Sequence, residues 1–227
     1  MPTPDAPARM TLPHAPSTTP QPLPSGSPPR LAGTSDEFDG DSLDFSRWLT
    51  LNEQRDQWRL TSGALVIAAQ DGDFFRDHES GRNLFLQTAP DGDFSVSTRV
   101  TFSPVHNNEH AFVTVWMDQD NHLMLTTGMY DGPGFVTLHE RHGKNTMFVY
   151  PNRLGDTVYL RMARRGTSYT FHVSADGADW QQIGPPVESD LIPACVGLGA
   201  FAPGSNRAPE AVFEYIRLDA APEAGAQ

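Results

Sequence analysis

Phe94-Ser-Val-Ser-Thr-Arg-Val-Thr-Phe102 is the stretch of sequence that decides the fold. Its apolar residues Phe94, Val96, Val100 and Phe102 fall on one side of an extended chain, and its polar residues fall mainly on the other. This period of two indicates a β-strand with one buried face, because successive side chains of a strand point to opposite faces. The preceding sequence Pro90-Asp-Gly-Asp93 is typical of a turn and marks the start of the strand.

The same pattern recurs along the chain from Phe38 onward, with turn signals about every eight to twelve residues. Further strands are predicted at 48–51, 58–68, 84–87, 110–117, 122–127, 134–141, 146–150, 158–163, 168–174, 195–201 and 211–218, with another ending near Ile183. Strands without intervening helices predict an all-β fold, a two-sheet antiparallel jelly-roll-like sandwich.

The beginning of the chain differs in composition from the rest. Residues 1–30 contain ten of the 20 prolines, and proline can neither donate a backbone hydrogen bond nor continue a helix. This predicts a disordered Pro-rich tail over 1–34, one sandwich domain over 35–220 and a frayed C-terminus over 221–227. A linker to a further domain is the alternative interpretation of the tail.

The charge of the chain argues against several classes of partner. The 16 Lys and Arg residues stand against 28 Asp and Glu residues, so the formal net charge is −12. Nucleic acid and anionic membrane surfaces both require concentrated basic residues, and we expect neither as a partner. Cys195 is the only cysteine, which excludes an internal disulfide. Since neither a secretory signal nor a membrane-spanning apolar run is visible, we expect a cytoplasmic protein.

Several phrases, in their order and spacing, resemble one group of sandwich domains. Asp36-Glu-Phe-Asp-Gly40 is similar to the opening of concanavalin A-like lectin/glucanase domains. Later phrases resemble the C-terminal sandwich domain of family 43 β-xylosidases and related stand-alone proteins of unknown function. They are 58–67, Val115-Trp-Met-Asp-Gln-Asp-Asn-His122, Gly155-Asp-Thr-Val-Tyr-Leu-Arg161, Tyr169-Thr-Phe-His-Val-Ser-Ala-Asp-Gly177 with Trp180, and Val196-Gly-Leu-Gly-Ala-Phe201. The resemblance implies a jelly-roll-like sandwich and recognition of a glycan, whereas catalysis does not follow from the fold.

Alternation predicts that aromatic, imidazole and guanidinium side chains share the outward face of the middle strands, with Val136 and Leu138 pointing inward. An indole can stack on the apolar face of a sugar ring, and the other groups can bind its hydroxyls. The predicted function is therefore a non-catalytic carbohydrate-binding or accessory module, with an oligosaccharide as ligand and a glycosidase as a candidate partner. The predicted binding residues are His110, Phe112, Trp116, His122, His139, Arg141 and His172.

Other interpretations stay open on the sequence. An enzyme acting on a glycoside or a small metabolite could use His139 with Glu140 or Asp118, since histidine moves protons near neutral pH. The Glu-x-Asp-x-x-Glu array of glucanases with this fold is missing, which argues against a retaining glucanase. Convergent histidines could instead bind a transition metal. A structural or assembly role is the third function, and a loop or the tail could simply cover Phe112 and Trp116.

The resemblance also implies a structural Ca²⁺ that ties the N-terminal segment to the last strand. Calcium takes six to eight oxygen ligands. The carboxylate would come from Glu214, and carbonyl oxygens from near Asp36 and Gly63. The alternative is that Glu214 pairs with an arginine on a neighbouring strand.

Overall fold

Segments of alternating apolar residues form the strands of this protein, and turn-forming sequences separate them. A computed structural model describes residues 9–10, 33–61, 63–75 and 80–220. In chain order the strands are β1 (Arg9–Met10), β2 (Leu49–Leu51), β3 (Trp58–Thr61), β4 (Ala64–Ala68), β5 (Leu84–Thr88), β6 (Phe94–Phe102), β7 (His110–Asp118), β8 (Asn121–Met129), β9 (Pro133–Arg141), β10 (Lys144–Pro151), β11 (Thr157–Arg165), β12 (Ser168–Ser174), β13 (Gln181–Gln182), β14 (Val187–Glu188), β15 (Cys195–Phe201), β16 (Glu210–Phe213) and β17 (Arg217–Asp219). A 3-10 helix spans Arg55–Gln57. Within the described ranges, no helix has the length and apolar character needed to cross a membrane.

The strands form two antiparallel sheets that pack as a sandwich, which confirms the predicted fold class. The eight-stranded sheet has the order β1-β10-β9-β8-β7-β15-β5-β2. The nine-stranded sheet has the order β13-β12-β11-β6-β16-β4-β3, while β14 pairs with β12 and β17 pairs with β6. Strand β1 lies within the predicted tail, and its pairing with β10 makes it an edge strand of the first sheet.

Two of the predicted strands are divided in the structure. Residues 58–68 form the hairpin β3–β4 around Gly63, whose φ of +85° belongs to the left-handed region that glycine adopts most easily. The predicted strand 211–218 is broken between β16 and β17, both of which pair with β6. Glu214 and Tyr215 lie in this break, between two strands that both pair with β6. Both residues line the candidate site.

The main hydrophobic core lies between the two sheets. Phe94, Val96, Val100 and Phe102 of β6 are at most 1% exposed there, so the face predicted from the alternation is the buried one. The eight-stranded sheet contributes Val115, among others, from its inner face. Full burial of each such side chain contributes about 1.5–3 kcal/mol relative to its exposure in water.

Asp36 ties the N-terminal segment of the domain to its C-terminal end. Its backbone N–H donates to the carbonyl of Ile216 at 2.8 Å, and the N–H of Ile216 donates back at 2.9 Å. Its carboxylate accepts hydrogen bonds from Trp48 Nε1 at 2.8 Å and from Arg47 Nη2 at 2.9 Å. The segment that resembles the opening of concanavalin A-like domains therefore connects the N-terminal and C-terminal parts of the domain through hydrogen bonds.

Candidate functional site

The outer face of the eight-stranded sheet carries a second apolar cluster, separate from the core between the sheets. A sheet face of an antiparallel sandwich that points away from the core is normally polar, so an apolar one marks a covered or interacting surface. We call these residues the outer apolar cluster: Phe74, Leu84, Leu86, Phe112, Trp116, Met124, Val136, Leu138, Cys195 and Phe201.

Trp116 belongs to this cluster, and His122 lies directly opposite it in the pairing of β7 with β8. The alternation therefore predicted correctly that they share a face. Their rings stack with centroids 4.8 Å apart, and the ring of Phe74 packs edge-on against the indole at 5.2 Å. Trp116 is 2% exposed and His122 is 0% exposed, so the indole is packed between neighbours and is not an open platform for a sugar ring.

His110 and Phe112 lie on the same face of β7, as predicted. The imidazole of His110 contacts the rings of Phe112 and Tyr130, with centroids 5.9 and 6.2 Å apart, and its Nδ1 lies 2.7 Å from the carbonyl of Asn108. Burial lowers the pKa of His110, and it lowers the pKa of His122 to about 4. Both imidazoles are therefore neutral at pH 7.

The prediction that His139 and Arg141 share the face of Trp116 is wrong. The pairing of β8 with β9 sets His139 opposite Leu123 and sets Glu140 opposite His122, so Glu140 occupies the outer face. The prediction failed because alternation grouped Val136 with Leu138 correctly but assigned the pair to the inner face, whereas both lie in the outer apolar cluster. Periodicity shows which side chains of a strand share a face, but it cannot show which face points to the core when the outer face of the sheet is also apolar.

His139 and Arg141 instead form hydrogen bonds with Ser189 and Asp190. His139 Nε2 lies 3.0 Å from Ser189 Oγ, and Arg141 Nε donates to Asp190 Oδ1 at 2.7 Å. Since His139 and Glu140 point to opposite faces of β9, the acid–base pairing of His139 with Glu140 is not formed.

His172 lies in the other sheet, which corrects its predicted place beside the other histidines. It belongs to β12 of the nine-stranded sheet, where it pairs directly with Arg161 of β11. The thickness of the sandwich therefore separates it from Trp116. Alternation assigns a side chain to one face of its own strand, and only the strand pairing shows to which sheet that face belongs.

The outer face of the nine-stranded sheet contains an open cleft of about 410 Å³, which we call the polar cleft. This volume lies within the range of about 300–1,000 Å³ that is typical of small-molecule sites. It is lined by Glu37, Gly63, Arg99, Tyr159, Asp176, Gly177, Glu214, Tyr215 and Arg217. Sequence reasoning named Gly63 and Glu214 as candidate calcium ligands but did not predict a cleft here, because its lining comes from segments as distant as residues 37 and 217.

Ion pairs fix the charged side chains of the polar cleft. Arg217 binds Glu37 through two parallel hydrogen bonds of 2.8 and 2.9 Å, which lower the pKa of the carboxyl group. Arg99 forms an ion pair with Glu214. The guanidinium of Arg217 also lies over the ring of Tyr215, 4.0 Å from its centroid. The cleft therefore presents fixed donors and acceptors beside aromatic surface.

Tyr159 forms an aromatic part of the cleft wall and is backed by the turn that follows β12. Gly177 has a φ of +78°, and a Cβ there would lie 2.7 Å from Cε1 of Tyr159, so glycine is required on both counts. The turn is held by Asp176, whose Oδ1 accepts hydrogen bonds from the backbone N–H of Ala178 and Asp179. These bonds lower the pKa of Asp176, which keeps its carboxylate charged.

The residues predicted to bind Ca²⁺ do not form one oxygen-rich site. Gly63 and Glu214 line the polar cleft, but Glu214 pairs with Arg99, the alternative that the sequence left open. The carbonyl oxygen of Asp36 accepts a hydrogen bond from the backbone N–H of Ile216 at 2.9 Å, and its carboxylate binds Arg47 and Trp48. Both carboxylates thus have a guanidinium partner, an arrangement that does not fit a divalent cation. Among the described residues, no three His, Cys, Asp or Glu side chains converge on a metal-sized position.

Comparison with known proteins agrees with the architecture. Residues 35–219 match the model of the β-xylosidase C-terminal concanavalin A-like domain family. No curated protein matches the chain. Two of the similar solved structures are the GH43 BlXynB protein from Bacillus licheniformis and the xylan β-1,4-xylosidase from Bacillus halodurans C-125. The first has a TM-score of 0.75 and 21% sequence identity over 82% of this chain. The second has a TM-score of 0.71 and 19% sequence identity over 87% of this chain.

The same fold occurs both inside longer chains and alone. The present chain spans 39% and 41% of the two bacterial proteins, which is about two fifths of their length. A functionally unknown protein from Saccharomyces cerevisiae is matched over its whole length, with a TM-score of 0.65 at 17% identity over 80% of this chain. At such identities the likeness to solved structures shows the fold alone.

Proposed function

Because the chain belongs to the family of β-xylosidase C-terminal concanavalin A-like domains, we propose that it is a non-catalytic carbohydrate-binding accessory module. In this proposal a saccharide binds in the polar cleft of the nine-stranded sheet. The observation that carries the proposal is the combination, in one open cavity of ligand size, of tyrosine surface with ion-paired arginines and carboxylates.

The chemistry of the cleft suits a sugar. Saccharide hydroxyls need both donors and acceptors, which the guanidinium of Arg217 and the carboxylates of Glu37 and Asp176 supply. The C–H faces of a sugar ring need apolar surface, which the ring of Tyr159 supplies. Because the ion pairs hold these groups in place, little side-chain freedom is lost when a ligand binds.

Accessibility favours the polar cleft over the face predicted from the sequence. A sugar can enter the cleft as it stands, whereas stacking on Trp116 would require the segment that carries Phe74 to move away from the indole. His110, His122 and the aromatic side chains of the outer apolar cluster then contribute to packing. In this proposal they stabilise the sheet and do not touch the ligand.

The partner we propose is a glycosidase that acts on the same polysaccharide. The two bacterial structures are a GH43 protein and a xylan β-1,4-xylosidase, and this domain matches about two fifths of each chain. A module with the same fold would hold a glycosidase near its substrate. We therefore take xylan and xylo-oligosaccharides as the first probes.

The test is a titration of xylo-oligosaccharides by calorimetry, with a parallel assay for release of reducing sugar. We expect binding without turnover, and we expect Tyr159→Ala to weaken it about tenfold or more. Tyr130→Ala is the matched control, because it removes a tyrosine that follows β8 of the other sheet, where Tyr130 contacts His110. Circular dichroism verifies that both variants fold. Equal binding by wild type and Tyr159→Ala would exclude the cleft, and sugar release that tracks the protein would exclude a non-catalytic role.

A further inference from the structure

We infer that Arg161, His172 and Trp180 form a site for the carboxylate of an acidic saccharide, next to the polar cleft. This inference rests on the proposed function, since it specifies which saccharides the module prefers. The neutral part of the ligand lies in the polar cleft, and an acidic substituent reaches Arg161.

Strand pairing aligns a row of polar side chains across the outer face of the nine-stranded sheet. Arg217 of β17 and Arg161 of β11 both pair with Ser97 of β6. Arg161 pairs in turn with His172 of β12, and His172 pairs with Gln182 of β13. Residues directly opposite each other share a face and lie about 4.5–5.5 Å apart at Cβ. The row therefore brings two arginines and a histidine onto one surface of an acidic protein.

Arg161 differs from its two arginine neighbours in its bonding. Arg99 and Arg217 each pair with a glutamate, whereas the guanidinium of Arg161 lies over the ring of Trp180, 4.1 Å from its centroid. Its Nε is buried and has no hydrogen-bond partner among the described residues. Burial lowers the pKa of Arg161. The direction of this shift means that nearby carboxylates do not fully compensate the loss of hydration of the guanidinium. A planar guanidinium with unused donors favours a carboxylate, which it can bind through two parallel hydrogen bonds.

His172 supplies a second unused nitrogen beside Arg161. Its Nδ1 is buried without a hydrogen-bond partner in the described part of the chain. Burial, and then the positive charge of Arg161, lower the pKa of His172 to about 4. The imidazole is therefore neutral at pH 7, so that it can donate one hydrogen bond to an anion without adding a charge of its own.

The surroundings favour a carboxylate over a phosphate. The charge of Asp219 acts on Arg161, and Glu37 and Asp176 line the neighbouring cleft. These carboxylates repel a dianion more strongly than a monoanion. Trp180 lies edge-on to Tyr159, with ring centroids 6.5 Å apart, so the site adjoins the wall of the cleft. An acidic sugar attached to a neutral chain fits this arrangement better than a free anion does.

The test compares two xylo-oligosaccharides that differ by one glucuronic acid substituent, titrated into the full-length chain by calorimetry. We expect the acidic ligand to bind about tenfold more tightly at low salt, and this preference to shrink as salt is added. Arg161→Gln should abolish the preference and leave binding of the neutral ligand unchanged. Arg161→Lys should restore part of it, because the charge is kept while the planar fork is lost. Arg59→Gln is the matched control, an exposed arginine of the same sheet that pairs with Glu210.

The outcomes separate this inference from the proposed function. Equal affinity of wild type for both ligands, or an undiminished preference in Arg161→Gln, would overturn the acidic site while the proposed function stands. Acetate that competes as well as the substituted oligosaccharide would also overturn it, since the site would then select a bare anion. Binding of neither ligand to wild type would reject the proposed function itself.

Discussion

Trp116 and His122 stack across β7 and β8 with ring centroids 4.8 Å apart and 20° between the ring planes. The stack is buried beneath the segment that carries Phe74, on the outer face of the eight-stranded sheet. Because both rings are buried, we expect these two predicted binding residues to have a structural role. The experiments below distinguish this structural role from a binding role.

We predict that Trp116→Ala lowers the free energy of unfolding by about 3–5 kcal/mol, because it leaves a cavity among Phe74, His122 and the neighbouring strands. Equilibrium unfolding in urea measures this loss. Trp180→Ala is the matched control, a half-buried indole that stacks with Arg161. We expect it to cost less stability and to weaken saccharide binding more. A Trp116→Ala protein that keeps its stability but loses binding would instead support the face predicted from the sequence.

The low pKa of His122 predicts that the protein loses stability in acid. Burial places this pKa at about 4 in the folded state, against about 6.5 in the unfolded chain, so the unfolded state binds more protons between these values. The stabilisation is fully present above about pH 6.5 and falls as the pH drops toward 4. The contribution of His122 has a slope of about 1.4 kcal/mol per pH unit.

Urea unfolding at a series of pH values, on wild type and on His122→Phe, measures this contribution. Phenylalanine keeps an aromatic ring against Trp116 but cannot be protonated, so we expect a shallower pH dependence in the variant. His172→Phe serves for comparison, because the pKa of His172 is also about 4 but its ring is only half-buried. Parallel curves for wild type and His122→Phe would show that His122 is not the source of the acid sensitivity.

Asp36→Asn should cost about 2–3 kcal/mol of stability, because a carboxylate that binds Phe38, Arg47 and Trp48 is replaced by a neutral amide. Thermal melting and urea unfolding both report this loss. Glu210→Gln breaks the exposed ion pair with Arg59 and should cost no more than about 1 kcal/mol. Similar costs for the two substitutions would show that the hydrogen bonds of the Asp36 carboxylate stabilise the protein no more than a surface ion pair.

Chelation can test the calcium site that the sequence resemblance implies at Asp36, Gly63 and Glu214. Since the two carboxylates have guanidinium partners, we expect the melting temperature to be the same with excess Ca²⁺ and with a chelator. A rise with Ca²⁺ that is lost in Glu214→Gln would contradict this expectation. Such a result would mean that the cation displaces Arg99 from Glu214.

The sequence by itself determined the sandwich, because its strands are alternating or apolar segments separated by turn chemistry, both of which are local properties. Strand β6 shows this most clearly: the face predicted from Phe94 to Phe102 is the buried one. The same local alternation placed Phe112, Trp116 and His122 correctly on one face. It could not show that this face is covered, because burial depends on the distant segment that carries Phe74.

Only the tertiary structure decided three features of the protein. They are the side chains of β9 that face the core, the sheet that contains His172, and the existence of the polar cleft. The register of β9 with β8 decides which side chains of β9 face the core, since the outer face that holds Val136 and Leu138 is apolar as well. The cleft joins Glu37, Tyr159 and Arg217, which no spacing in the sequence relates. The physical reason is the same in each case: alternation is a short-range property of one strand, whereas a site on a sheet is made by neighbours that hydrogen bonding brings together from distant parts of the chain.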